Sequence, residues 1–190
     1  MQSVTLYHEA AAESLPDLLH NGLTYGTQGT HSQDGIIQQV NSFLDGCRPT
    51  MLAKLHVSRV NSLYAYYGAA DKILDVRTGA LIPIADWRVQ PGMAKVSLAV
   101  DPEYAFLGNL NTYDQIAAAF AKGKAEHAVV ALAHTYWQEI VPVTQVLSSY
   151  DVQSDGLYKK QNAPAGLPAR LPRMEVLITA NVPAQNITKL

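Results

Sequence analysis

Three groups of residues stand where chemistry, and not packing alone, can account for them. His8 closes the first predicted strand, directly before a helix. Tyr64 and Tyr66 share one face of an aromatic strand, with Tyr67 on the other, just ahead of Gly68-Ala69-Ala70. Glu175 interrupts an otherwise apolar strand between Met174 and Val176. A carboxylate in that setting is costly to bury unless it is paired, hydrogen-bonded or facing a cleft. Each group also has a purely structural reading. His8 can hydrogen-bond backbone at a strand end, the tyrosines can be core aromatics whose hydroxyls reach the surface, and Glu175 can pair with Arg170 or Arg173 at a sheet edge.

Other chemistry is thinly represented. The chain carries no Gly-x-Gly-x-x-Gly, no phosphate loop ending in Gly-Lys-Ser/Thr, no His-Glu-x-x-His and no Gly-x-Ser-x-Gly. Six histidines stand at 8, 20, 31, 56, 127 and 134 without a convincing ligand spacing. His127 and His134 lie seven apart on a predicted helix but lack a third ligand, so no metal is expected. The single cysteine, Cys47, excludes an intramolecular disulfide and a multi-thiolate zinc site, and it has no neighbouring base in sequence.

The elements that must position these residues can be read from periodicity. Ser3–His8 alternates as a strand, and a helix follows. Ser14 and Asp17 suggest a capping box for that helix, and Gly22 stops it. Asp34 offers a cap for a second helix carrying Ile36, Ile37, Val40, Phe43 and Leu44, which ends at Gly46 and Pro49. Leu63–Tyr67 reads as a strand, with Gly68-Ala69-Ala70 turning into a short helix through Leu74. Lys95–Val100 and Tyr104–Leu107 read as strands around an Asp101-Pro102 turn. Thr112 with Gln115 suggests a capping box for a helix ending at Gly123. A further helix carries Ala125 to Tyr136 and stops before Pro142. Gln153–Arg170 reads as a long surface loop, and Met174–Thr179 as the last strand. Strands are not followed regularly by helices, which favours an α+β architecture.

Composition sets the frame. The 190 residues are 48% hydrophobic and 16% charged, with a formal net charge of −2. Mean hydropathy is −0.02 and the pI about 6.3. These values exclude a disordered chain and suit one domain over residues 1–190, which at this size buries about 70% of the unfolded surface. No run approaches the ~20 apolar residues of a membrane span, and the N-terminus shows no secretory signal. A cytoplasmic domain with no membrane association is the expectation. The overall charge does not favour nucleic acid, although a local basic patch remains compatible with it.

Three segments resemble the ADP-ribosyltransferase-like superfamily. Leu6-Tyr7-His8, followed by Ser14-Leu15-Pro16-Asp17-Leu18-Leu19-His20-Asn21-Gly22-Leu23, resembles the superfamily's opening strand ending in Tyr-His, its helix and its Gly-Leu. Ser62-Leu63-Tyr64-Ala65-Tyr66-Tyr67-Gly68-Ala69-Ala70 resembles the second motif. Glu175-Val176-Leu177-Ile178, then Val182-Pro183 and Ile187, resembles the terminal strand of several branches, DarT-like toxins that modify DNA among them. Together they cover about a quarter of the chain. The resemblance implies a split, bent β-sheet with flanking helices, holding NAD as a substrate in a central cleft. It further implies a His-Tyr-Glu trio: Glu175 as the catalytic carboxylate, Tyr64 or Tyr66 stacked on nicotinamide, and His8 on a ribose hydroxyl.

On that resemblance, Arg59 either contacts the NAD pyrophosphate through its guanidinium fork or is a surface arginine. The acceptor of ADP-ribose, protein or nucleic acid, is not named by the sequence. Small size suits a standalone toxin-like effector restrained by an antitoxin, an analogy of fold alone. Arg173 stands two residues before Glu175, where side-chain-modifying branches often carry Gln or Glu, and no Ser-Thr-Ser motif is present. An alternative alignment makes Glu139 catalytic, within Gln138-Glu139-Ile140-Val141-Pro142, although that glutamate would sit at a helix end. Lys159, Lys160, Arg170 and Arg173 either meet a phosphate-bearing acceptor, as in a related RNA 2′-phosphotransferase, or form a solvated patch. A catalytically silent module of the same fold, holding a nucleotide or a partner protein, is the other reading of the chain.

Overall fold

The computed structural model describes residues 3–26 and 35–190. Asp34, expected as a helix cap, and His31 lie outside the described residues. The strands are β1 (Val4–Ala11), β2 (Leu63–Ala69), β3 (Lys72–Leu74), β4 (Leu81–Pro83), β5 (Met93–Val100), β6 (Ala105–Asn109), β7 (Val141–Pro142), β8 (Tyr150–Val152), β9 (Leu157–Lys159), β10 (Met174–Ile178) and β11 (Ile187–Lys189). The helices are α1 (Leu15–Asn21), α2 (Gly35–Gly46), α3 (Thr50–Lys54), α4 (Leu110–Ala121), α5 (Val130–Gln138) and α6 (Val143–Ser149).

Nine of these strands join in one sheet along the path β11-β5-β1-β2-β10-β6-β7, with β3 and β4 extending from β2. The named pairings are antiparallel, so the protein is α+β. Alternation along the strands feeds two cores. Leu6, Leu98, Leu107, Val176 and Ile178 face one. Phe106 and Leu177 face the other, where Val40, Leu44, Ile116 and Tyr136 of α2, α4 and α5 pack. β10 is thus covered on both sides, which is why it reads as an almost continuous apolar run.

The ladders on the two edges of β2 are interrupted. β1 pairs with β2 at Leu6↔Tyr67 and Tyr7↔Tyr66, and then runs on to Ala11 paired only with β5. β10 pairs with β2 at Val176↔Ala65, Leu177↔Tyr64 and Ile178↔Leu63, and continues outward to Met174 paired only with β6. The second half of β1 and the first residues of β10 therefore diverge on either side of β2. The sheet forks there.

Several local expectations are corrected. Gly68-Ala69-Ala70 does not lead into a helix. β2 runs through Ala69 and reverses at Ala70 (φ 55°) and Asp71 into β3, with Gly68 opposite Ile73. So short a stretch gains too few hydrogen bonds to nucleate a helix, whereas a two-residue turn lets Ile73 and Leu74 become fully buried. Neither expected capping box forms. Ser14 already has helical backbone and makes no side-chain cap, while Asp17 accepts from Asn21 Nδ2 at 2.6 Å. Thr112 lies inside α4, whose cap is Asn109, accepting from the Asn111 N–H at 2.9 Å. The stretch read as a surface loop after Gln153 holds β9, paired with β8, and a bridge between Tyr158 and Arg170. α3, α6, β4, β7 and β11 were not anticipated, being too short to show a period.

Gly22 ends α1 with φ 82°, and the next residue, Leu23, exchanges two 2.8 Å hydrogen bonds with Val182. A Cβ on Gly22 would fall 2.4 Å from the Val182 carbonyl oxygen and 2.9 Å from the Ala184 nitrogen, both backbone atoms. Gly22→Ala is therefore expected to cost about 2–4 kcal/mol in urea unfolding, through positive φ and overpacking together. Gly46→Ala, where a Cβ meets nothing within 4 Å, is expected to be neutral or slightly stabilising.

Candidate functional site

The fork opens a cleft of about 700 Å³, within the ordinary size of small-molecule pockets. His8, Tyr64, Tyr66 and Glu175 all line it. Glu175 lies opposite Gly108 on β6, one residue beyond the last rung that β10 shares with β2. It points to the same side of the sheet as Tyr64 and Tyr66, because antiparallel partners share a face.

His8 occupies the gap left by the missing ladder. Its Nδ1 stands 2.7 Å from the carbonyl oxygen of Tyr64. A carbonyl only accepts, so Nδ1 donates, which fixes the tautomer and the ring orientation. The backbone-bonding reading of His8 is thus realised, and the residue lines the cleft as well. Tyr66 donates to Glu9 Oε1 at 2.9 Å and packs edge-on against Trp87 with centroids 5.3 Å apart. Burial, and then the Glu9 charge, push its phenol up. Tyr64 donates its hydroxyl to the main-chain carbonyl of Arg59. Burial pushes its phenol up as well, against the opposing pull of Arg59.

Glu175 does not pair with Arg170 or Arg173. Its Oε1 accepts from Nη1 of Arg59, with the arginine side chain 4% and the glutamate 14% exposed. Arg59 is accordingly not a surface arginine; it is not among the residues lining the cleft, and its guanidinium meets Glu175. Its guanidinium lies over Tyr113 (4.2 Å to the ring centroid), Tyr64 (4.8 Å) and Tyr136 (5.7 Å). It donates to the Tyr136 hydroxyl at 3.1 Å and, through Nε, to Asn41 Oδ1 at 3.3 Å. Burial pushes the Glu175 carboxyl above the ordinary range, and Arg59 opposes that shift without reversing it.

Residues with no local signal complete this arrangement. Asp45 on α2 accepts from the backbone N–H of Arg59 at 2.7 Å and that of Val60 at 3.3 Å. It pins the turn that aims the guanidinium inward. Gly108 makes room for Tyr136, whose hydroxyl would sit 2.6 Å from a Cβ at that position. Tyr113 and Tyr136 belong to helical stripes that read simply as core.

The remaining candidates lie elsewhere. Glu139 follows α5 and accepts from Thr112 Oγ1 at 2.6 Å and Asn109 Nδ2 at 3.1 Å. It ties α5 to the start of α4 and does not line the cleft. The late basic residues are largely engaged: Lys160 with Asp151 (3.8 Å), Arg170 with Asp155 (3.3 Å), Arg173 with Asp114 (2.8 Å), and Lys159 Nζ with the Leu167 carbonyl at 3.3 Å. Among the described residues no group of three His, Cys, Asp or Glu is placed to hold a metal ion, and no helix is long and apolar enough to cross a membrane. No family model, no curated protein and no solved structure matches the chain.

The buried pair sets a stability test. Arg59→Ala strands the Glu175 carboxylate and is expected to cost about 3–5 kcal/mol. The double change Arg59→Met with Glu175→Leu should recover most of that loss, because apolar residues remove both desolvation penalties together. Urea unfolding of the two variants and wild type makes the comparison.

Proposed function

We propose that the protein is an NAD-consuming ADP-ribosyltransferase, with the forked sheet as the split sheet of that superfamily and the cleft as its site. The reading rests on one observation: His8, Tyr64, Tyr66 and Glu175, drawn from the start, middle and end of the chain, line a single cleft. NAD serves as substrate, and its adenylate and pyrophosphate leave on ADP-ribose.

In the reaction the bond between ribose C1′ and the nicotinamide nitrogen breaks. Its electron pair returns to the pyridinium ring, which departs as neutral nicotinamide. Positive, oxocarbenium-like charge develops on the ribose, as in glycoside cleavage. Glu175 is the anion at hand to stabilise it, and the carboxylate is fixed before the charge appears. Tyr64 or Tyr66 stacks on the departing ring, and His8, held by the Tyr64 carbonyl, meets a ribose hydroxyl. Both are positioning effects. An acceptor nucleophile then bonds to C1′ and gives up its proton.

A second reading is favoured by the Arg59–Glu175 contact. A carboxylate already neutralised by a buried guanidinium suits a catalytically silent module that holds the nucleotide without cleaving it.

One experiment separates the two. Purified protein is incubated with NAD and candidate protein and nucleic-acid acceptors, and free nicotinamide is measured by chromatography. Glu175→Gln is expected to reduce release by about 10²–10³-fold, while Glu139→Gln, outside the cleft, releases nicotinamide at the wild-type rate. Thermal stabilisation by NAD with no nicotinamide from any acceptor would establish the silent module instead. At 100 times Kd that stabilisation is about 2.7 kcal/mol.

A further inference from the structure

The strongest unexplained feature is the arginine beneath the cleft. Arg59 is not among the residues that line the cavity, yet its side chain is held from several sides: by Glu175, Tyr136, Asn41 and the faces of three tyrosines. Its main chain is equally determined, with Asp45 accepting from its N–H and the Tyr64 hydroxyl donating to its carbonyl. A side chain gripped at both ends cannot relax when its partner is challenged.

We infer that Arg59 is a positioning residue for Glu175, holding the carboxylate ionised and in one rotamer at the wall of the cleft, so that ligand charge meets an anion already in place. The inference rests on the proposed site and adds the device that keeps it ready. The alternative fate of a carboxyl in an apolar wall is to take up a proton and become neutral. β2 presents the phenols of Tyr64 and Tyr66, α4 that of Tyr113, and α5 that of Tyr136; all four are pushed up and stay neutral. Asp114 of α4 adds a like charge that pushes Glu175 up further. From β1, His8 and Glu9 line the same cleft. His8 is committed through Nδ1 to the Tyr64 carbonyl, and Glu9 is an acid. Arg59 alone faces Glu175 as a cation in ion-pair contact among the described residues.

The arrangement distinguishes arginine from lysine. One planar fork reaches Asn41 through Nε while Nη1 serves both Tyr136 and Glu175, and a single ammonium cannot span those partners. Charge and geometry can therefore be removed in two steps, Arg59→Lys and Arg59→Gln.

The test is the titration of the Glu175 carboxyl, followed by carbon NMR on 13C-glutamate protein and assigned with Glu175→Gln. The acid limb of nicotinamide release is measured in parallel. The carboxyl should titrate lowest in wild type, higher in Arg59→Lys and highest in Arg59→Gln, the last by about one pH unit or more. The acid limb of kcat should move in the same order, with KM for NAD within about twofold, because the arginine acts through Glu175 and not on the ligand. If Arg59→Gln fails to fold, Arg59→Lys against wild type decides by the same ordering. Coincident titrations, with activity lost equally at every pH, would make Arg59 a merely structural residue and overturn the inference. A shifted titration with no nicotinamide released by wild type leaves the positioning role standing and removes the transferase reading.

Discussion

A carboxylate in the wall of a cleft and the guanidinium that meets it from behind hold this protein's candidate site together. Arg59 and Glu175 bring α2, α4, α5, β2 and β10 to one point through Asn41, Asp45, Tyr113, Tyr136 and Tyr64. Moving two charges out of water costs several kcal/mol per ion, and their attraction repays it only where hydrogen bonds and geometry are good. Here three aromatic faces and two further polar partners supply that geometry. Apolar residues of the same volume would restore most of the stability that loss of one partner costs, so stability alone does not explain why a charged pair stands here. Glu175 stands in the wall of a cavity, where the proposed transferase reaction calls for a fixed anion that leucine cannot supply.

The cavity follows from a constraint on the sheet. β2 has two edges and spends each on half of its length, β1 along one half and β10 along the other. Where β1 turns away, Tyr64 loses a ladder partner, and the imidazole of His8 takes its carbonyl instead. An unpaired buried carbonyl would cost about 1–3 kcal/mol, so a donor is needed at the fork whether or not the residue has any role toward a ligand. His8 meets that need with one ring nitrogen while presenting the imidazole at the cleft.

These relations explain what could and could not be read from the chain. β1, β2, β5, β6 and β10 were legible because each alternates or runs apolar for five residues or more. β7 and β11, of two and three residues, carry no period and exist only because a neighbour supplies the ladder. The hairpin of β2 and β3 was misread as a helix because small residues at 68–70 suit both, and tertiary burial of Ile73 and Leu74 decided the outcome. His8, Tyr64, Tyr66 and Glu175 were legible as chemistry-bearing types at element ends and on a shared face. Arg59 was located but its partner was not. A charge opposite it comes from 116 residues away, and nothing near Arg59 in sequence distinguishes a buried guanidinium from a surface one. Asp45, Tyr113 and Tyr136 each look like ordinary helix residues for the same reason.

Tyr64 shows how little freedom the arrangement retains. Its carbonyl holds His8, its hydroxyl holds the Arg59 main chain, its ring lies against the Arg59 guanidinium, and its backbone is registered against Leu177, two residues from Glu175. The imidazole and the carboxylate are thus located relative to each other through the β2 backbone, the Tyr64 ring and the Arg59 guanidinium that lies against it. Displacements of about an ångström at a reacting centre cost on the order of 10²-fold in rate, so a site that works by placement must be built on elements that do not bend. β2, held by β1 over one part of its length and by β10 over the next, is such an element. Its divided pairing opens the cleft where the ladders on either side of β2 end within one residue of each other.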